Sequence, residues 1–200
     1  MKMISMLPIW LRMRRTAARM LADRSGIAAT EFAVIVPVML VMFFGTVEFS
    51  SGVAVNRKVT LMARTLSDLT SQSTSVNDTD LTGFFAASKG IMTPYSSSPT
   101  QSTISELYVD TSKVVKVMWS QGHAARAVGS TITIPTELQV ADTYLIFSEV
   151  AYRYVPAVGK VMAPTGVNLT DVAYTRPRQS TCVIYPTPSS GSLPACTPPT

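Results

Sequence analysis

Glu31 is the one ionisable residue in an otherwise apolar run, Ile27 to Val47, which reads IAATEFAVIVPVMLVMFFGTV. A charged side chain at the centre of a bilayer costs about 2.5–3.5 kcal/mol on insertion scales, so this carboxylate needs a compensating partner. A cut after Gly26 would turn Ile27 into an N-terminal ammonium about 6 Å along a helix from Glu31. An ammonium and a carboxylate of adjacent subunits could pair more directly, because they would not be held on one helix.

The apolar run is long enough to cross a membrane. A helix from Ile27 to Val47 would span roughly 32 Å, against a hydrocarbon core of about 30 Å. Pro37 lies inside it and would free the carbonyl of Ala33, which predicts a kink near that residue. A cleaved secretory signal with Gly52 and Ala54 at its cut site is the alternative, although its apolar region is usually shorter, about 7 to 15 residues.

The positive charge of the sequence lies almost entirely before this run. The first 26 residues hold one acidic residue, Asp23, and six basic ones: Lys2, Arg12, Arg14, Arg15, Arg19 and Arg24. This bias places the N-terminus in the cytoplasm and the C-terminal part outside. The remaining residues are formally neutral, which argues against nucleic acid as a partner because such a surface would need its positive charge on the folded domain.

The pattern after the membrane changes from helical to strand-like spacing. Apolar residues three or four apart continue one amphipathic helix: Val55, Val59, Met62, Leu66 and Leu69. A short helix is expected at 81–92. β-Branched and aromatic residues predict strands: Glu106 to Trp119, Thr131 to Ile134, Asp142 to Val155, and short edges at Val172 to Tyr174 and Cys182 to Tyr185. We therefore predict an α+β fold, in which a long N-terminal transmembrane helix continues into a small antiparallel-sheet domain outside the cytoplasm.

The predicted organisation has four parts. A basic cytoplasmic leader at 1–26 precedes the transmembrane and amphipathic helix at 27–69. The α+β extracytoplasmic domain follows at 70–185, and a Pro- and Ser-rich tail at 186–200 ends the chain.

Two cysteines, Cys182 and Cys196, flank a loop-like stretch near the C-terminus. In an oxidising compartment their pairing would close a loop of roughly 15 residues and stabilise it by about 3 kcal/mol; two unpaired thiols are the alternative. No C-x-x-C spacing occurs and His123 is the only histidine, so we expect no metal and no cofactor. Because the usual nucleophile, phosphate-binding and metalloprotease motifs are also missing, we expect neither an enzyme nor a small-molecule substrate.

The segment RSGIAATEFAVIVPVMLVMFFGTVEFS resembles a prepilin-type leader and helix. More narrowly, it is similar to the TadE-like family of minor pseudopilins in tight-adherence (Flp-type) type IV pilus systems. The residues that carry the resemblance are Gly26, Glu31-Phe32-Ala33, Pro37, Gly45 and Glu48-Phe49.

The resemblance implies processing and assembly. A prepilin peptidase would cut between Gly26 and Ile27, and Glu31 with Phe32 would serve peptidase recognition or subunit docking. Implied partners are the lipid bilayer, the peptidase, other pilins or pseudopilins and pilus-assembly proteins. The implied location is the bacterial inner membrane, with a periplasmic C-terminal domain and incorporation into an adhesive pilus. The alternative is an unprocessed, signal-anchored envelope binding protein with no filament role, in which Glu31 snorkels or stays protonated near the interface.

Overall fold

The structure is a computed structural model that describes Arg14, Thr16, Ala17 and Arg19 and residues 25–156, 165–188 and 193–197. Its first long element is helix α1, Ser25–Ser71, of 47 residues. The chain divides into two compact units, Met1–Val47 and Glu48–Thr200, so the boundary falls within α1. Most of the predicted leader lies outside the described residues.

The first unit consists of the inner half of α1, residues 25–47. Its large apolar side chains are exposed, among them Phe32, Val34, Val41 and Phe43. They follow one another without a polar face, so they cover the helix on all sides. Within the described residues, α1 from Gly26 is the one helix both long and apolar enough to cross a membrane. A helix satisfies most of its backbone groups within itself, which suits a spanning segment.

The second unit joins the outer half of α1, residues 48–71, to a second helix and a sheet. Helix α2, Asp78–Gly90, begins with a capping box in which the Asn77 side chain accepts from the Asp80 N–H and the Asp80 side chain accepts from the Asn77 N–H. The strands are β1 Thr100–Val109, β2 Val115–Gly122, β3 Thr143–Tyr154 and β4 Val167–Thr175, with a 3-10 turn at Thr136–Leu138. They form an antiparallel sheet in the order β2-β1-β3-β4.

One face of the sheet packs against the outer half of α1. The helix contributes a stripe of side chains three or four residues apart, Val55, Val59, Met62 and Leu66, each 0% exposed. This spacing keeps them on one side of the helix. The contact also includes a hydrogen bond of 2.6 Å from Ser148 Oγ on β3 to the carbonyl of Ala63. The opposite sheet face carries a further core cluster that includes Leu107, Phe147 and Ile134.

The predicted α+β fold, with an apolar N-terminal helix and a small antiparallel sheet, is confirmed. The prediction of a single strand from Glu106 to Trp119 was wrong. Asp110 ends β1 because its Oδ1 accepts from the backbone N–H groups of Ser112 and Val114, each at 2.8 Å, and closes a turn. Two other predicted strands are only isolated bridges, Lys116 to Thr131 and Ser75 to Ile184.

Candidate functional site

The predicted cleavage site lies in the first turn of α1. Gly26 and Ile27 are both helical and exposed. A Cβ added at Gly26 would meet nothing within 4 Å, so the fold places no steric demand for glycine there. The Thr30 Oγ1 donates to the Ile27 carbonyl at 2.8 Å. The peptide bond after Gly26 is therefore accessible from outside the molecule, and its cleavage stays a prediction.

Glu31 lies one helical turn beyond Ile27. Its side chain is exposed, and it lines a shallow depression of about 370 Å³ with Thr30, Val34 and Ile35. No hydrogen bond or ion pair to Glu31 occurs among the described residues, and Phe32 beside it is 68% exposed. The carboxylate and the ring are thus both available to another molecule, as a docking or recognition role requires.

Pro37 lies in the same exposed half of α1, which continues as a helix on both sides of it. Proline has no N–H, so the carbonyl of Ala33 lacks its usual helical donor. The predicted kink at this point remains a prediction.

The expectation of neither catalysis nor a metal site stays a prediction. No group of three or more His, Cys, Asp or Glu side chains that could hold a metal occurs there. His123 is exposed beside Gly122, whose φ of 126° suits a turn. His123 lines a surface depression with Thr103, Thr170 and Asp171. Arg126 and Glu149 of the same depression pair with each other.

The two cysteines lie in the second unit, away from the cleavage segment in sequence. Cys182 and Cys196 form a disulfide with Cα atoms 5.9 Å apart. Cys182 is buried, and the residues after it are tied to the chain before α2: the Val76 N–H donates to the Ile184 carbonyl at 2.9 Å. The tail is therefore fixed to the domain where it carries the disulfide.

A buried carboxylate, Glu106, also holds this C-terminal segment, and sequence reasoning missed it. Its Oε1 accepts from the Val183 N–H at 2.6 Å, and its Oε2 accepts from Trp119 Nε1 at 3.0 Å. Trp119 Nε1 also donates to the Val183 carbonyl at 2.7 Å. Burial raises the pKa of Glu106 from 4.5 to about 8, although both N–H donors act in the lowering direction.

The only sequence signal for this site is weak. Glu106 stands two residues after Ile104, and alternate residues of a strand share a face. An acidic residue at a core-facing position could have been suspected on that ground. The sequence does not indicate that Trp119 and Val183 are the partners of Glu106. Trp119 lies on β2, and Val183 lies 77 residues after Glu106.

The apolar helix and the sheet domain define the class of the molecule: an α+β protein with one N-terminal helix that suggests a membrane anchor. Within that class, residues 26–66 match the model of the TadE-like protein family, so the resemblance found in the sequence is confirmed over those residues. The match suggests involvement in a tight-adherence (Flp-type) pilus system. It includes Gly26, Glu31 and Pro37 and extends along the outer half of α1. No curated protein and no solved structure matches the chain.

Proposed function

We propose that this protein is a membrane-anchored minor pseudopilin that takes part in assembling a tight-adherence (Flp-type) pilus. A prepilin peptidase removes the basic leader after Gly26 on the cytoplasmic side, and the second unit remains in the periplasm. The role is structural and non-catalytic, and the partners are the bilayer, the peptidase, and other pilins, pseudopilins or pilus-assembly proteins. The single observation that carries the proposal is the family match over residues 26–66.

The surroundings of Gly26 support a role in processing. Open space around its Cα means that packing within this protein gives no reason for a glycine. A requirement outside the folded chain, such as the narrow active site of a peptidase, would explain why position 26 is a glycine.

The surroundings of Glu31 support a role in docking. The carboxylate is exposed on an apolar helix half and has no partner among the described residues. In lipid such a group is costly. Cleavage creates an ammonium at Ile27, and the ammonium of one subunit meeting the Glu31 of the next would offset that cost and favour assembly over the isolated monomer.

The direct test is mass spectrometry of the mature protein from cells with and without the prepilin peptidase. We expect the chain to begin at Ile27 when the peptidase is present and to retain the leader when it is absent. A chain that keeps its leader in both strains would overturn the processing proposal and leave the unprocessed envelope binding protein as the better reading.

Two matched pairs of variants separate recognition from folding. Gly26→Val should block cleavage, whereas Gly45→Val should leave it unchanged, because an added Cβ meets nothing within 4 Å at either position.

Glu31→Gln should abolish pili counted by electron microscopy, whereas Glu48→Gln should retain them. Normal pilus numbers with Glu31→Gln would contradict the docking role even if cleavage occurs.

A further inference from the structure

β4, Val167–Thr175, is an edge strand of the sheet. It pairs with β3 along its whole length, and among the described residues no strand pairs with its other side. Such an edge presents a row of N–H and C=O groups to which a strand of another chain can bind. Natural edge strands are often closed by a lysine, a proline or a short length, whereas β4 has nine residues and contains neither lysine nor proline. Its free edge is therefore a candidate for strand addition.

One side chain closes the middle of this edge. Asp171 Oδ1 accepts from the Val172 N–H at 2.8 Å, and Asp171 Oδ2 accepts from Thr60 Oγ1 on α1. The bond to the carboxylate places the Val172 N–H outside the ladder with β3. In an antiparallel strand the N–H and C=O groups of one residue point to the same side, and alternate residues repeat that direction. The Val172 carbonyl and both backbone groups of Tyr174 are therefore left for another strand.

This open end of the edge lies in a groove between β4 and α1. The groove has a volume of about 610 Å³, and its first side is β4 from Val172 to Thr175. The outer half of α1 and the chain after β4 form the rest of the lining: Arg64, Thr65, Asp68, Leu69 and Arg178. A strand added to β4 would run about 5 Å from it. The added strand would therefore lie inside this groove.

The charges of the groove favour an acidic segment. Arg178 pairs with Asp68 at 2.5 Å. The Arg64 side chain is exposed, and it has no hydrogen bond or ion pair among the described residues. The lining therefore carries one uncompensated positive charge. A guanidinium binds a carboxylate through two parallel N–H donors, so a carboxylate is the group that fits this position.

We propose that this groove binds an extended acidic segment of a partner protein, which adds as a strand to the edge of β4 and places a carboxylate on Arg64. In this mode main-chain hydrogen bonds supply affinity and side-chain contacts supply specificity. The rival occupant is β4 of a second copy. Asp171 is the one acidic residue of β4, and its carboxylate already has two partners. Two copies would therefore bring their Arg64 side chains together without a carboxylate to pair with them, which is destabilising.

The test measures the binding of fluorescently labelled peptides to the full chain in detergent micelles by fluorescence anisotropy. The probe is the capped peptide Thr-Val-Glu-Val-Thr-Val, and its control carries Gln in place of Glu. We expect the Glu peptide to bind about fivefold more tightly. Arg64→Gln should remove this difference. Arg57→Gln should retain it, because Arg57 is an exposed arginine of α1 outside the groove.

N-methylated peptides test whether the peptide backbone pairs with β4. Methyl groups on alternate residues block one edge of an extended peptide, because alternate N–H groups point to the same side. We expect methylation of one alternate set to abolish binding and methylation of the other set to leave it unchanged. Equal binding of the two methylated peptides would overturn strand addition. An intact Cys182–Cys196 disulfide, measured by mass spectrometry, checks that each protein variant has folded.

The remaining outcomes also decide the proposal. No binding of either peptide at about 1 mM, or equal binding of the Glu and Gln peptides, would overturn it. A photoreactive residue at position 172 that yields covalent dimers and no peptide adduct would replace the acidic segment with a second copy, whereas peptide adducts would support the proposal.

This inference and the proposed function fail separately. Every residue of the groove belongs to the second unit, so the proposal depends neither on a membrane anchor nor on cleavage after Gly26. Failure of peptide binding would leave the pseudopilin proposal standing, and a leader that is never cleaved would leave the strand-addition groove standing.

Discussion

The two halves of α1 differ in what surrounds them. In the outer half, Val59 and Leu66 are fully buried against the sheet, and other side chains of the same half remain in water. In the inner half, Phe32, Val41 and Phe43 are all exposed, and the apolar residues leave no polar side. The division into two compact units falls between these halves, at Val47 and Glu48.

This difference shows which half depends on another molecule. The outer half is amphipathic, so burying one stripe against its own sheet is enough to stabilise it in water. A helix that is apolar all round needs cover on every side, and the large apolar side chains of residues 27–47 are exposed. The apolar helix therefore suggests a membrane anchor, and under the proposed function we expect lipid or other apolar helices to cover this half.

The largest expected effect comes from creating a cavity in the outer half. Leu66→Ala should lower the free energy of unfolding of the second unit by about 2–5 kcal/mol, because Leu66 is 0% exposed among Ile104, Trp119 and Ile146. Leu40→Ala, in the exposed inner half, should leave it unchanged. Denaturant unfolding in detergent micelles, followed by the fluorescence of Trp119, measures both.

Equal losses for the two leucine variants would contradict the comparison, since they would mean that the inner half also packs on the folded domain. A loss for neither would mean that the outer half is not part of the cooperative unit.

The second effect concerns the different surroundings of two glutamates, Glu31 in the first unit and Glu106 on β1 of the second unit. Glu31 lies exposed on the inner half, whereas Glu106 is enclosed by the protein and its pKa is raised to about 8. Between pH 4.5 and about 8 the unfolded chain loses this proton while the folded chain keeps it. Stability from this group is therefore fully present below pH 4.5 and is lost as the pH rises toward 8, by up to about 1.4 kcal/mol per pH unit.

Glu106→Gln removes the titrating group. The dependence of the unfolding free energy on pH that this group causes should therefore disappear. One of the two N–H donors, from Val183 or Trp119, would then face the amide NH₂, so the unfolding free energy of the variant should be lower by a constant amount. Its dependence on pH should be weaker than that of the parent. The difference between parent and variant in unfolding free energy, measured from pH 4 to 9, isolates the effect from other titrating groups. Parallel profiles would show that Glu106 is ionised in the folded protein.

The sequence was sufficient for the features that depend on local pattern. The length of the apolar run predicted the long apolar helix, and the spacing of Val55, Val59, Met62 and Leu66 predicted the buried stripe of α1. β3 was close to its predicted range because β-branched and aromatic residues fill it. Leu69, predicted as part of the stripe, is only half-buried, because the buried face of the helix continues instead through Ser67, Thr70 and Ser71.

Features that depend on tertiary contacts could not be predicted. The turn at Asp110 depends on one side chain accepting two backbone N–H groups, so the flanking strands looked continuous. The site around Glu106 joins β1, β2 and a segment near the C-terminus, and no spacing links them. The roles of Gly26 in cleavage and of Glu31 in docking or recognition came from the family resemblance. The structure shows that both residues are exposed, and their roles stay predictions.

The smallest expected effect lies at the boundary between the halves. Glu48 is the first residue of the second unit, and it accepts from the Tyr154 hydroxyl at 3.3 Å. Burial, and to a lesser degree Glu48, raises the pKa of Tyr154. Glu48→Gln and Tyr154→Phe should each lower the unfolding free energy by less than about 1 kcal/mol, because the hydrogen bond is long and partly open to water.

A double-mutant cycle of these two changes should give a measurable coupling energy, because the two side chains are in contact. The cycle of Glu31→Gln with Tyr154→Phe is the control and should be additive, since Glu31 belongs to the other unit. A coupling energy between Tyr154 and Glu31, or no coupling energy between Tyr154 and Glu48, would contradict a boundary between the units at Val47 and Glu48. The division of α1 into a half covered by its own sheet and a half that needs outside cover would then have to be drawn elsewhere along the helix.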